Sequence, residues 1–178
     1  HSHMSHLGHV AKAVVSHGIP VLFHIFTDGR DAPPQSALEY LDWLHSDLAG
    51  MDGVKIATVT GRYFTMDRDN RWGRASRGYR AVTEGDGLES TSAQNAIEEG
   101  YARDEPVEFL QPTIIRYHDG MVDGDGLLMV NFRPALARQI LTALVVPKFS
   151  PFAWNPQTKL PIVPGMTVVS VRLPQRRP

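Results

Sequence analysis

The sequence contains no cysteine, which excludes a disulfide framework and thiolate chemistry. It has four lysines against fourteen arginines. Lysine ordinarily shares the work of surface solubility, so the surplus of arginine fits planar recognition of anions; GC-rich coding raises arginine as well. No apolar run approaches the ~20 residues of a membrane-spanning helix, and no secretory signal opens the chain. Acidic residues are missing from the end of the chain. Residues 1–125 hold all 19 Asp and Glu against 11 Lys and Arg, whereas residues 126–178 hold 7 Lys and Arg and no acid. There is no Gly-rich phosphate loop, no nucleophile-elbow serine and no Cys–His pair. The net charge of −1 and pI of about 6.8 leave no global footprint for nucleic acid or an anionic membrane, so neither partner is expected. These absences fit a cytoplasmic protein.

What is present suits one domain with a tail. Apolar periodicity predicts a helix over 2–17, a strand over 21–26, a helix over 35–49 and a strand over 54–60. A polar loop follows, then helices over about 70–83 and 91–103, the second with Thr91 or Ser92 as N-cap. Strands are predicted over 112–117 and 127–131, and a last helix over 135–145. The alternation of strand and helix predicts an α/β fold with a largely parallel sheet flanked by helices. Residues 1–145 form the expected domain, and 146–178 an irregular proline-rich tail. Seven of the 13 prolines fall in that tail. Its one strand-like run is 166–173. The start at His1 rather than Met, together with the change of character near Asp125, predicts an incomplete chain.

Three arginine-centred clusters follow three of the strands. They are Asp28-Gly29-Arg30-Asp31, then Gly61-Arg62-Tyr63 with Met66-Asp67-Arg68-Asp69-Asn70-Arg71-Trp72, and Asn131-Phe132-Arg133-Pro134. If those strands run the same way, their carboxyl ends share one edge, where open α/β sheets bind ligands. Arginine grips phosphate and carboxylate with a rigid fork. A pocket for a small anion follows. Asp31 could accept a hydroxyl proton, while Asp28 could simply cap the turn. Arg68, Arg71, Arg74, Arg77 and Arg80 recur every third residue, which drifts about 60° per step around a helix. Most of them therefore read as a solvated face, and Arg62 and Arg68 as ligand contacts. His1, His3, His6 and His9 crowd the first helix. A metal site would need them to converge, and His-Ser-His-Met also matches the scar of a cleaved tag. His17, His24 and His45 read as structural.

Together with Ser36-Ala37-Leu38-Glu39-Tyr40 and Tyr101-Ala102-Arg103, these motifs resemble the cofactor-independent (2,3-bisphosphoglycerate-independent) phosphoglycerate mutases across residues 1–145. The Met-Asp-Arg-Asp-Asn-Arg-Trp run is close to a signature alone. Under this resemblance His1 and His3 are native, the remainder of a Gly-Gly-Val-His-Ser-His motif.

The resemblance implies an inserted substrate-binding domain of a two-domain enzyme that interconverts 3-phosphoglycerate and 2-phosphoglycerate. The other, phosphatase-like domain would carry the transiently phosphorylated serine and two divalent metals, commonly manganese. No metal and no other cofactor are expected on this chain. Substrate contact would fall to His1, Arg30, Asp31, Arg62, Arg68 and Arg133, with Asp31 and His1 in catalysis. A monomer is expected. One departure stands out. The family continues Asn-Phe-Arg-Pro-Asp-Arg, but here Ala135 and Leu136 occupy the last two positions, which removes a substrate arginine. A non-catalytic phosphoglycerate-binding module or degenerate fragment is therefore the alternative. An arginine-rich nucleic-acid module is opposed by the neutral pI.

Overall fold

The computed structural model describes residues 3–116, 118–122, 124–131, 133–146 and 169–171. Among them a six-stranded sheet is flanked by helices on both faces. The chain enters through helix α1 (Ser5–Val15), whose buried Ala11 packs on strand β1 (Val21–Thr27). Helix α2 (Ala37–Leu48) then returns the chain to strand β2 (Val54–Gly61), which pairs parallel with β1. A single helical turn, α3 (Arg62–Thr65), begins where β2 ends, and helix α4 (Trp72–Glu84) follows. Beyond them lie β3 (Leu88–Ser90), α5 (Ala93–Ala102), a 3-10 turn (Val107–Phe109), β4 (Thr113–Ile115), β5 (Gly126–Leu128), α6 (Pro134–Val145) and β6 (Val169–Val171). Among the described residues no helix is long and apolar enough to cross a membrane.

Alternation along β1 sends neighbouring side chains to opposite faces. Phe23 and Ile25 join the core under α1, α2 and α5, where Leu41, Val59 and Ile97 are buried. Phe26 packs on the other face against the cluster built from Tyr79 and Val82 of α4, Leu127 of β5 and Ile140 of α6. Ser92 caps α5 as expected, accepting the Asn95 N–H at 3.0 Å.

The α/β class and the helix-flanked sheet stand, but the pairing is mixed rather than largely parallel. In the order β3-β4-β2-β1-β6-β5, only β1–β2 and β3–β4 are parallel. The antiparallel pairs involve three-residue strands, too short to carry a period, and β6 inserts between β1 and β5 from the region 146–178. The premise that matters for a site survives this change. β6 runs against both β1 and β5, so β1, β2 and β5 all point the same way. Their three following clusters therefore meet at one edge of the sheet.

Candidate functional site

At that edge a cleft of about 480 Å³ opens between the ends of β1 and β2, the loop before α4, and the start of α6. Five of the six residues expected to touch substrate line it: Arg30, Asp31, Arg62, Arg68 and Arg133. The sixth, His1, lies outside the described residues. Arg71 and Arg74, expected on a solvated face, line the same cleft.

The wall at β1 and β2 is tightly built. Gly29 follows β1 with φ +74°, a conformation that favours glycine. A Cβ there would lie 2.7 Å from Val107 and the Glu108 nitrogen. Gly61 has an ordinary extended backbone, so it is not needed for a sharp bend. It is needed for close approach, because a Cβ would meet the Glu108 carbonyl oxygen at 2.4 Å. The 3-10 turn thus presses on both glycines and fixes the distance between the two loops. Thr27 adds a bond from its hydroxyl to the Val107 carbonyl at 2.6 Å.

Arg62 starts α3, with its side chain 10 % exposed. Its Nη1 donates to Asp28 Oδ1 and lies 3.5 Å from Asp31 Oδ2. Asp28 Oδ1 also accepts the Arg30 N–H at 3.3 Å and faces the Asp31 N–H at 3.5 Å. Asp28 is therefore the turn cap that the sequence offers and, beyond that reading, an ion-pair partner of Arg62. Across the cleft, Arg133 at the N-terminus of α6 donates from Nη1 to Asp31 Oδ2 at 2.5 Å. Asp31 stands between two guanidinium groups from opposite walls.

The loop carrying Arg68 is held by Asp67, whose side chain is 5 % exposed. Its Oδ2 accepts the N–H groups of Asp69 at 3.1 Å and Arg71 at 2.8 Å. Asn70 completes the curl with φ 58°, a region that asparagine tolerates better than most residues. The curl puts Arg71 at the N-cap of α4 rather than within the helix. Arg74 stacks over the Tyr63 ring at 3.9 Å. The curl is why a helical projection from Arg68 onward misplaces Arg71; the Asp67-to-Arg71 spacing of an acidic turn is the available signal.

Leu136, at the position where the resemblance expects a second arginine, lines the cleft yet is only 4 % exposed. Its neighbour Ala135 is exposed. Among the described residues no group of three or more His, Cys, Asp or Glu side chains could hold a metal ion. These residues do not fit the pair of divalent metals that the family resemblance implies for a whole enzyme, and no step below passes through a metal. A second cavity of about 400 Å³ lies under α1 and α2, lined largely by apolar side chains such as Leu7, Phe23, Leu41, Leu44 and Val130. It cannot compensate a buried anion. The arginine-lined cleft can.

Comparison with known proteins bears on the family and the fold. A family model described as "BPG-independent PGAM N-terminus" matches residues 1–169. The 2,3-bisphosphoglycerate-independent phosphoglycerate mutase of Ruegeria sp. (strain TM1040) is 45% identical over 171 residues, 96% of this chain and 33% of that protein. The enzyme of the same name from Roseobacter denitrificans is 44% identical over 170 residues, again 96% of this chain and 33% of its own length. Among solved structures, a Leishmania mexicana phosphoglycerate mutase at low cobalt concentration superposes with a TM-score of 0.80 at 29% identity, covering 90% of this chain and 32% of that one. The chain thus spans about a third of the length of these relatives.

Proposed function

The chain belongs to the family of BPG-independent phosphoglycerate mutase N-termini, and on that premise we propose that it is the phosphoglycerate-binding part of such an enzyme. The observation that carries the reading is one cleft lined by Arg30, Arg62, Arg68 and Arg133, in which Arg62 and Arg133 both face Asp31. The forks of the arginines suit the phosphate and carboxylate of 3-phosphoglycerate and 2-phosphoglycerate. Asp31, 43 % exposed on its side chain and bonded to Arg133, would exchange protons with the glycerate hydroxyls on this reading. His1 belongs to the same set by its motif. The phosphate would be passed to and from a serine on a phosphatase-like domain that also carries two divalent metals, manganese in the usual case. That domain's nucleophile and metal ligands have no counterpart motif in residues 1–178. The body 1–145 holds the ligand, and 146–178 adds β6 to the sheet. The protein is cytoplasmic and monomeric on this reading, and its reaction is a step of glycolysis and gluconeogenesis.

Titration calorimetry of the chain with 3-phosphoglycerate tests the binding half of the proposal. Measurable, salt-sensitive affinity is expected, and no heat at millimolar ligand would reject it. An enolase-coupled assay with manganese tests the other half. The isolated chain should show no turnover, because no nucleophile is supplied; a normal mutase rate would contradict the assignment. Leu136 favours a second reading, a phosphoglycerate-binding module without catalysis, since one substrate arginine of the family pattern is replaced by a buried apolar side chain. Fusing the phosphatase-like half of a relative separates the two: restored turnover excludes the non-catalytic module.

A further inference from the structure

We propose that Asp28 is a positioning residue that sets the cleft before ligand arrives, by tying the Arg62 guanidinium to the turn that carries Arg30 and Asp31. The proposal rests on the phosphoglycerate reading of the cleft. Asp28 follows β1, while Arg62 follows β2. One oxygen, Oδ1, serves both sides: it accepts from Arg62 Nη1, from the Arg30 N–H at 3.3 Å, and faces the Asp31 N–H at 3.5 Å. A guanidinium has five N–H donors in a planar fork. The bond to Asp28 engages one edge of that fork and leaves others for an anion. The same bond fixes the plane of the fork, so little side-chain freedom remains to be lost on binding. Arg62 Nη1 also lies 3.5 Å from Asp31 Oδ2, so an Arg62 that swung away would change the charge facing the proposed proton carrier. Asp28 is 20 % exposed on its side chain, which shields the pair from solvent screening. Asp28 need not touch phosphoglycerate to govern it; it acts through Arg62 and the turn.

The test uses the whole chain and the variants Asp28→Asn, Arg62→Lys and their double. Asparagine keeps the size of the side chain and one acceptor oxygen but loses the charge that holds the guanidinium. Two readouts are needed. The first is NMR of the Arg62 side-chain N–H groups and of the Arg30 and Asp31 amides without ligand. Asp28→Asn should speed guanidinium rotation and amide exchange there, measured at a temperature where the variant is still fully folded. The second is titration with 3-phosphoglycerate. Asp28→Asn should weaken binding about tenfold in the native background and much less in the Arg62→Lys background, because coupled residues are non-additive. Unchanged Arg62 and turn dynamics, or equal losses in both backgrounds, would overturn the positioning role. A native chain that binds no 3-phosphoglycerate would instead overturn the phosphoglycerate reading, and the NMR readout still decides the role of Asp28. Should Asp28→Asn fail to fold, the loosening of the Arg30 and Asp31 amides in Arg62→Lys reports the same link from its other end.

Discussion

On the wall of the cleft built by β1 and β2, Arg62 is 10 % exposed and braced by Asp28; on the wall built by α6, Arg133 is 50 % exposed and held by Asp31, itself 43 % exposed. The two arginines carry the same charge and point into the same space. They differ in what was settled before a ligand arrives. A guanidinium already ordered and partly desolvated gives up less entropy on binding and is screened less by salt. One that reaches in from the surface behaves like an exposed ion pair, typically worth ~1 kcal/mol or less. The lesson is that counting arginines around a cleft overstates the contribution of some of them. Bracing, more than number, ranks them.

The strongest way to break this comparison is Arg62→Lys. An ammonium cannot hold Asp28 and an anion with one rigid plane. Affinity for 3-phosphoglycerate should fall roughly ten- to a hundredfold, which is about 1.5–3 kcal/mol for a hydrogen bond to a charged group. The melting midpoint should drop as well, because Asp28 is left largely buried with a poorer partner. Calorimetry beside thermal melts measures both. Equal affinities would take Arg62 out of the site.

Much of this asymmetry was hidden from the sequence, for identifiable reasons. The strands ending at Thr27 and Gly61 are legible because their apolar runs are long and buried, and the turn chemistry after them is distinctive. So is the helix at Pro134, with proline at its first position. The three-residue strands β3, β4 and β5 carry no period of their own, so the mixed pairing could not be read from alternation alone. The 3-10 turn Val107–Phe109 is equally silent, though it explains why Gly29 and Gly61 must be glycine: the reason lies 47 or more residues away in the chain. A helix extended backward through the loop that Asp67 curls gives Arg71 the wrong position. The set of cleft arginines was visible as motifs; their ranking needed the partner of each.

Leu136 sharpens the comparison from the other wall. It is 4 % exposed, so an arginine placed there must either displace packing or emerge into the cleft. Leu136→Arg should lower stability by about 1.5–3 kcal/mol, the value of burying a leucine side chain. Any gain in 3-phosphoglycerate affinity should stay smaller than the loss caused by Arg62→Lys, since nothing like Asp28 braces the new side chain. Thermal melts with and without ligand give both quantities. An unchanged midpoint would show that Leu136 does not anchor α6.

Behind the braced wall, His24 of β1 bonds through Nδ1 to the Thr58 hydroxyl of β2 at 3.0 Å, directly opposite in register. Burial, with a smaller contribution from His118, pushes its pKa down from 6.5 to about 3. The unfolded chain binds a proton at His24 below pH 6.5, whereas the folded chain does so only near pH 3. Stability due to this group is therefore intact above pH 6.5 and declines as pH falls toward 3, by about 2 kcal/mol at pH 5. Urea unfolding at pH 7 and pH 5 should show that decline in the native chain and a shallower one in His24→Gln. Identical slopes would mean that His24 is not held neutral between the strands. Acidification should also loosen the Arg62 wall before the α6 wall, visible as earlier exchange at Arg30 and Asp31 than along 137–144.

The smallest effect is expected at Arg133, and its smallness is informative. Its bond to Asp31 is short at 2.5 Å, but both partners are substantially exposed and the N-cap position of α6 uses no side-chain bond. Arg133→Lys keeps the charge and removes only the fork. The change should weaken 3-phosphoglycerate by a few-fold, about 0.2–1 kcal/mol, in line with exposed ion pairs. Raising salt from roughly 0.05 to 0.5 M shortens the screening length severalfold. The native–variant difference at Arg133 should then nearly vanish, while the difference at Arg62 persists because its partner is shielded. Titrations of the native chain and both lysine variants at the two ionic strengths measure this directly. If Arg133→Lys cost as much as Arg62→Lys and kept that cost in high salt, bracing by Asp28 would not be what ranks the two walls. Ligand-induced ordering of α6 would then have to carry the explanation.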